Sequence, residues 1–317
     1  MTPPRNRAWL LNLDADRELA TVGHYTPPVS IQRQVHAQAE HTESLRQGEE
    51  LLPYGPTNGG PSEGVKKTDH PTDGRPVFAW CPTHRAISWG GPNVIRGPQL
   101  SVLREANHRQ FLSRIPQHTL GGVYLTGPDA IAGLLADLGT NKLRLKRAFG
   151  FAGKGQRSIG QLPSADDQRW ITDSVKRLGL WCEAAVDITH EYSIHGYVDE
   201  EELWVGSSCV AVTDAYGAPA SFDLRERMNA PMSDTEQQQQ LNAAHDVAAA
   251  LRSVGYFGPF GVDSFAFNAD GQRVYCAASD VNARFTLAWS LGMGALRERA
   301  LGRYQRRATR SPEGPKR

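Results

Sequence analysis

The sequence predicts a mixed α+β fold made of more than one lobe. Three observations predict it. Strand-like and helix-like periodicities alternate through the first half of the chain. Beyond about residue 181, short strands follow one another through tight turns, which reads as antiparallel pairing. The chain has 317 residues, 39% hydrophobic and 22% charged, enough for two or three packed lobes with a continuous core.

Residues 9–13, WLLNL, read as a buried strand closed by the turn Asp14-Ala15-Asp16. Residues 31–52, rich in glutamine, glutamate and alanine, read as a helix. Residues 53–76 repeat Pro, Gly, Asn and Asp with no apolar periodicity and predict an exposed loop. VFAW at 77–80 is a second short strand. Helices follow at 83–89 and at 102–115, the latter with Leu103, Ala106, Phe111 and Ile115 as its apolar positions. A strand at 121–125 and a short helix at 129–138 lead to a period-two strand at 142–149. That strand sets Leu143, Leu145 and Arg147 on one face and Arg144, Lys146 and Ala148 on the other.

A helix at 164–179 opens on Ser164, with Asp166 and Asp167 in the first turn, where they complement the helix dipole. Strands are predicted at 181–188, 191–198 and 203–212, then a long helix at 233–254 with Ser233 and Glu236 as a capping box. Runs at 261–268 and 272–279 flank Ala269-Asp270-Gly271, a hairpin signal. The expected division is an N-terminal lobe at 1–120, a core at 121–295, and a basic C-terminal helix and tail at 296–317.

Composition narrows the function. With 35 basic and 34 acidic side chains the net charge is +1, which carries no nucleic-acid or membrane footprint. Cys81, Cys182, Cys209 and Cys276 are scattered, which argues against a thiolate zinc site and a disulfide framework. The first apolar stretch is far short of a signal core, and no run approaches the roughly 20 apolar residues of a membrane span. The cytoplasm is the expected location.

Three segments carry chemistry. In LRLKRAFGFAGKGQRSI, 143–159, a strand delivers Lys146 to a turn opened by Gly150, Gly153 and Gly155, with Lys154 and Arg157 beside it. Glycines let backbone N–H groups approach phosphate oxygens, and the cations neutralise their charge. The spacing matches neither the Walker A loop nor G-x-G-x-x-G. The alternative is a plain glycine-rich hairpin with solvated cations. Near the C-terminus, Asp263, Asp280 and Asn282 offer hard oxygen ligands suited to Mg²⁺. Asp280 and Asn282 share one face of an extended segment, Asp263 lies one hairpin away, and Arg284 continues that face, where it can hold a phosphate or oxyanion. In WCEAAVDITHEYSIHGYV, 181–198, Glu183 opens a segment whose backbone can read an adenine edge, and Glu191 can accept from ribose hydroxyls.

In this order the three segments resemble the ATP-grasp superfamily over roughly residues 120–290. The resemblance implies an ATP-grasp fold of two α+β subdomains gripping ATP, preceded by a smaller α/β lobe. It assigns Lys146, Gly150, Gly153, Lys154, Gly155, Arg157, Glu183, Val186 and Glu191 to ATP. Asp263, Asp280 and Asn282 go to Mg²⁺, with Mn²⁺ an alternative, and Lys146 and Arg284 to catalysis. The implied reaction is attack of a carboxylate on the γ-phosphoryl group of ATP, followed by capture of the acylphosphate by an amine. The expected partners are those carboxylate and amine substrates, with no nucleic acid or membrane, and a homodimer is left open.

Two departures stand out. The family's metal-bridging residue is usually Glu, and Asp280 is one methylene shorter. The Arg that often precedes the first metal aspartate is missing, because Gly261-Val262 stand there. Arg284, Arg225 and Arg227 are candidates for its role. Alternative functions are an ATP-grasp phosphotransferase and a nucleotide-binding protein without turnover. In the N-terminal lobe, Asn12, Asp14, Asn107, His108 and Arg109 read as caps and solvated groups, and the same holds for His84, His190 and His195.

Overall fold

The computed structural model describes residues 7–40, 42–52, 74–127, 130–137, 140, 142–151, 154–160, 163–213, 219–228 and 231–310. Three sheets organise them. The first is parallel: β1 (Ala8–Leu10) lies between β2 (Glu50–Leu52) and β3 (Val77–Ala79). Every residue of β1 and β3 is buried, as expected of parallel strands covered on both faces. Around them run α1 (Ala15–Leu19), α2 (Val29–Glu40), α3 (Glu43–Arg46), α4 (His84–Gly90) and α5 (Leu100–Asn107).

The second sheet is antiparallel, in the order β4 (Val123–Leu125), β7 (Leu180–Ala184), β5 (Lys142–Phe151), β6 (Lys154–Gly160). With α6 (Ala130–Asp137) and α7 (Ala165–Arg177) it forms its own small core of Leu143, Leu145, Ile159, Ile171, Leu180 and Cys182. The third sheet joins β8 (Ile188–Val198), β9 (Leu203–Val205), β10 (Cys209–Thr213), β11 (Pro219–Leu224), β12 (Gly258–Ala269) and β13 (Gln272–Asn282). Helix α8 (Asp234–Ser253) covers it with Ala243, Ala244, Val247, Ala248 and Leu251, one helical stripe. Capping boxes start α7 at Ser164 with Asp167 and α8 at Ser233 with Glu236.

Several boundaries differ from those read in the sequence. Residues 31–52 are not one helix. Gln47 and Gly48 take left-handed backbone (φ 53° and 81°), which ends the helical run and turns Leu51 and Leu52 into a strand beside β1. Residues 102–115 break at His108, whose side chain caps a 3₁₀ segment, Arg109–Arg114. Residues 203–212 divide at Gly206, where a Cβ would stand 2.2 Å from Gly292 O of the short helix α9 (Trp289–Met293). Strand β11 has no counterpart among the predicted elements, and nearly all of the predicted loop at 53–76 lies outside the described residues. The four cysteines are free and buried. Among the described residues no helix is long and apolar enough to cross a membrane.

The parallel lobe and the large sheet share one core, into which the C-terminal helix α10 (Arg297–Thr309) inserts Leu301 and Tyr304. Its first residue makes the central polar tie. Arg297, 1% exposed, pairs with Glu49 at 2.6 Å, and Trp9 Nε1 donates to the same carboxylate oxygen at 2.6 Å. Removing one partner of a buried, hydrogen-bonded pair leaves the other charge uncompensated, which typically costs about 3–5 kcal/mol. Arg297 also reaches the half-exposed Glu298 at 2.7 Å, so Glu49→Ala is expected to lower the urea-unfolding free energy by somewhat less, about 2–3 kcal/mol. A loss under about 1 kcal/mol would show the pair to be dispensable.

Candidate active site

Lys146 owes its position to the alternation of β5. Leu143 and Leu145 point into the small core beneath α7, so Lys146 and Ala148 project from the opposite face, toward the large sheet. Lys146 is 4% exposed. Its ammonium lies 2.7 Å from Glu183 Oε1 and donates to the backbone carbonyl of Ser279, on β13, at 3.1 Å. Glu183, 2% exposed, also accepts from Trp181 Nε1 at 2.8 Å through Oε2. A single lysine therefore ties the small sheet to the large one.

The acidic residues meet across the β12–β13 hairpin. Asp270 (φ 50°) and Gly271 (φ 77°) form its two-residue turn, the conformation that matches strand twist. From the turn to Phe265↔Cys276 the register is regular; continued unchanged, it would set Asp263 opposite Ala278. An irregularity in β13 shifts the pairing, and Asp263 faces Asp280 instead. Ser279 lies within that irregularity, and it is Ser279 whose carbonyl accepts from Lys146. Asn282 Nδ2 donates to Asp263 Oδ2 at 3.0 Å. Burial and the neighbouring Asp280 push the Asp263 carboxyl up to about 7.

This donor set fits a hard divalent cation. Two carboxylates paired across the hairpin, one of them raised by burial and by the other's charge, are relieved by a positive ion between them. Among the described residues no cluster of three His, Cys, Asp or Glu is arranged to hold a metal. A cation at Asp263 and Asp280 would draw its further ligands from Asn282 and from substrate oxygens.

Arg109 stands at the centre of these elements. It is 6% exposed, donates to Asp280 Oδ2 at 2.6 Å and to the carbonyl of Arg147 at 2.6 Å, and reaches Gly150, where a Cβ would be 2.7 Å from its terminal nitrogen. Reading it as a solvated group was incorrect. Asn107 is likewise no cap for solvent: its amide bonds both the N–H and the carbonyl of Ala283, one residue past Asn282. Asn12 and Asp14 are buried, on Cys81 and on Arg85 with Tyr25. Arg284 pairs with Asp16 at 2.8 Å and lies over the Trp80 ring, so the guanidinium on Asp280 is that of Arg109.

His195 is also buried rather than solvated. It fills the space that Gly261 leaves, bridges Ser193 and Thr286 at 3.1 Å each, and is held neutral by burial, its pKa lowered to about 3. Ser193 pairs with Asp263 across β8 and β12.

The remaining predicted residues divide. Gly150 and Gly155 (φ 94°) lie in the β5–β6 hairpin; Gly153 and the Lys154 side chain are outside what is described. Arg157 extends from the face opposite Lys146 and grips Asp166 and Asp167 at the start of α7. Val186 packs with Ile188 against the apolar cluster of Phe265, Phe267 and Cys276, and Lys146 and Glu183 lie near Cys276. Glu191 pairs with Phe265, on the same face as Asp263. The residues missed in the sequence, Arg109 above all, come from 171 positions away, where no spacing rule connects them.

No protein-family model matches the chain, and no curated protein matches it in sequence. Solved structures do. Over 96% of this chain and 98% of that one it is similar to D-alanyl-alanine synthetase A from Vibrio cholerae, at 11% identity and a TM-score of 0.55. D-cycloserine synthetase DcsG is similar over 94% of this chain and 99% of its own, at 13% identity and a TM-score of 0.54. Biotin carboxylase from Campylobacter jejuni, in complex with a β,γ-ATP compound, matches over 75% of this chain and 55% of its own, at 12% identity and a TM-score of 0.54.

The raised Asp263 carboxyl predicts a pH dependence. Between the unfolded carboxylate value of 3.8 and about 7 the folded chain holds a proton there that the unfolded chain has lost. That contribution to stability is complete below the unfolded value and disappears as pH rises through about 7. In chelator, wild-type protein is expected to lose stability relative to Asp263→Asn as pH goes from 5 to 8, read by urea unfolding at each pH. A constant difference between the two proteins would refute the shift.

Proposed function

We propose, from the premise that this chain has the ATP-grasp fold, that it is a Mg²⁺-dependent ligase. It uses ATP to activate a carboxylate as an acylphosphate, which an amine then captures to form an amide. The observation that carries the proposal is the pairing of Asp263 with Asp280, beside Asn282, with Lys146 bonded to the same irregular stretch of β13. This arrangement gathers a cation site and a buried ammonium, the two positive charges that the phosphates of a nucleotide require. The full-length likeness to two synthetases supports the same reading.

Each residue then has a physical task. Lys146, oriented by Glu183, neutralises phosphate oxygens while remaining shielded from water, where a charge acts more strongly. The backbone of the β5–β6 hairpin covers the phosphates and excludes water that would hydrolyse an acylphosphate. Asp263, Asp280 and Asn282 hold Mg²⁺, or Mn²⁺, which when bound supplies positive charge to the transferring phosphoryl group. Arg109 supplies a guanidinium beside that group, the task the sequence reading gave to Arg284. Arg284, fixed by Asp16, holds the parallel lobe against the reaction centre.

One observation favours a second reading. Arg109 engages Asp280 Oδ2, and the Val281 N–H lies 3.2 Å from Oδ1, so both oxygens of the shorter acid have donors. That favours a nucleotide-binding protein without turnover. ADP release separates the readings: the ligase forms ADP and phosphate only with Mg²⁺, a carboxylate and an amine together. Lys146→Met and Asp280→Asn are each expected to lower kcat/KM about a hundredfold or more. Undiminished ADP release in both variants would remove the site assignment, and saturable ATP binding without ADP across a broad panel would favour the second reading.

A further inference from the structure

On the α7 side of β5, opposite Lys146, a crevice of about 460 Å³ opens between α1 and the β5–β6 hairpin. That is the size of a small-molecule pocket. Its polar walls are Asp16, Arg17 and Tyr25 from the parallel lobe, and Arg147, Ser174 and Arg177 from the small subdomain. Among the described residues that line it, three are arginines and Asp16 is the one acid; Asp16 is already paired with Arg284.

Arg147 is fixed in place. Its Nε donates to Ser174 Oγ at 2.9 Å, Ser174 is 2% exposed and donates in turn to the Trp170 carbonyl at 2.6 Å, and the guanidinium lies 4.9 Å from the centre of the Trp170 ring. Stacking and one bond through Nε orient the fork and leave its two terminal nitrogens outside that bond. Among the described residues, neither Arg147 nor Arg177 has a carboxylate within ion-pair distance, whereas Arg157 on the same hairpin has two. Asp173 acts on Arg147 only from farther away. Burial, together with Arg177, Arg157 and Arg17, holds the Arg147 guanidinium below its ordinary value. Gathered like charges in a partly enclosed space are relieved by an anion, and a planar, oriented guanidinium matches a carboxylate or a phosphate.

The crevice also borders the reaction centre. Asp16 joins it to Arg284, two residues beyond Asn282. Gly150, another wall residue, touches Arg109, which holds Asp280. A molecule lying in the crevice would thus extend toward the phosphoryl group.

We infer that this crevice receives the substrate through a second anionic group, a phosphate or carboxylate remote from the reacting one, bound by Arg147 and Arg177 with Arg17 beside them. The inference deepens the ligase reading and rests on it for the identity of the ligand as a substrate; the anion site itself does not depend on it. The ligase substrate then belongs to the dicarboxylates or phosphorylated carboxylates, not to the simple neutral amino acids.

Citrate is a suitable first probe, measured calorimetrically on the full chain in the absence of nucleotide. Saturable binding is expected, weakened about tenfold or more in Arg147→Gln and in Arg177→Gln, and retained in Lys146→Met. Arg177 is exposed at the end of α7, so its variant reports on the site even if Arg147→Gln fails to fold. Absent saturation, or equal affinity in wild type and both Gln variants, overturns the proposal. A second arm measures ADP release with monocarboxylates against carboxylates bearing a second carboxylate or a phosphate. The doubly anionic compounds are expected to drive turnover, with KM raised about tenfold or more and kcat little changed in Arg177→Gln. Turnover of a monocarboxylate with the same kcat/KM in wild type and Arg177→Gln also overturns it. Citrate binding lost in the Gln variants, with no carboxylate driving ADP release, sinks the ligase reading and supports the anion site.

Discussion

Much of the site depends on the irregular register near the end of the β12–β13 hairpin. The Asp270-Gly271 turn fixes the pairing of the two strands, and side-chain alternation then decides which residues share a face. A perfectly regular ladder would set Ala278 opposite Asp263. The displaced stretch around Ser279 brings Asp280 there instead, and with it Asn282. The same displacement turns the Ser279 carbonyl toward Lys146. One local departure from regularity thus creates both the acidic pair and the contact that joins the two antiparallel sheets, as bulges beside functional sites often do.

Around that point the chain is tied together by buried polar groups rather than by apolar packing alone. Lys146 and Glu183 sit between the sheets. Arg109 joins the 3₁₀ segment after α5 to β5 and β13 at once. Asn107 closes both backbone groups of Ala283, and Arg284 reaches back to Asp16. Each is a directional contact with little tolerance for displacement, which suits elements that must hold charges in a fixed relation. The apolar cores are arranged differently. The parallel lobe and the large sheet share one core, which also takes Trp181 from β7, while the other face of the small sheet has a core of its own.

Two features beside the acidic pair compensate one another in space. Gly261, two residues before Asp263, carries no side chain, and His195 and Thr286 occupy the vacated volume without adding charge. The guanidinium on Asp280 comes from Arg109 in the N-terminal segment. A motif comparison confined to consecutive residues sees only a missing arginine. The folded chain has a guanidinium at Asp280, delivered by another route.

What the sequence determined by itself were the features set by short-range rules. The alternation of β5 placed Lys146 opposite Leu143 and Leu145, the capping boxes began α7 and α8, the turn made the hairpin, and the spacing of Asp280 and Asn282 kept them on one face. Those rules act over two to four residues, so they are written in consecutive letters. Only the tertiary structure decided the roles of Arg109, Arg157 and Arg284, three arginines alike in composition. One lies on Asp280, one on the start of α7, one on Asp16. Long side chains find partners by proximity in space, and the separations of 171 and 268 residues that bring Arg109 and Arg284 to theirs carry no local signal. The register shift that selects Asp280 belongs to the same class: it is a property of two strands packed together, invisible in either one alone.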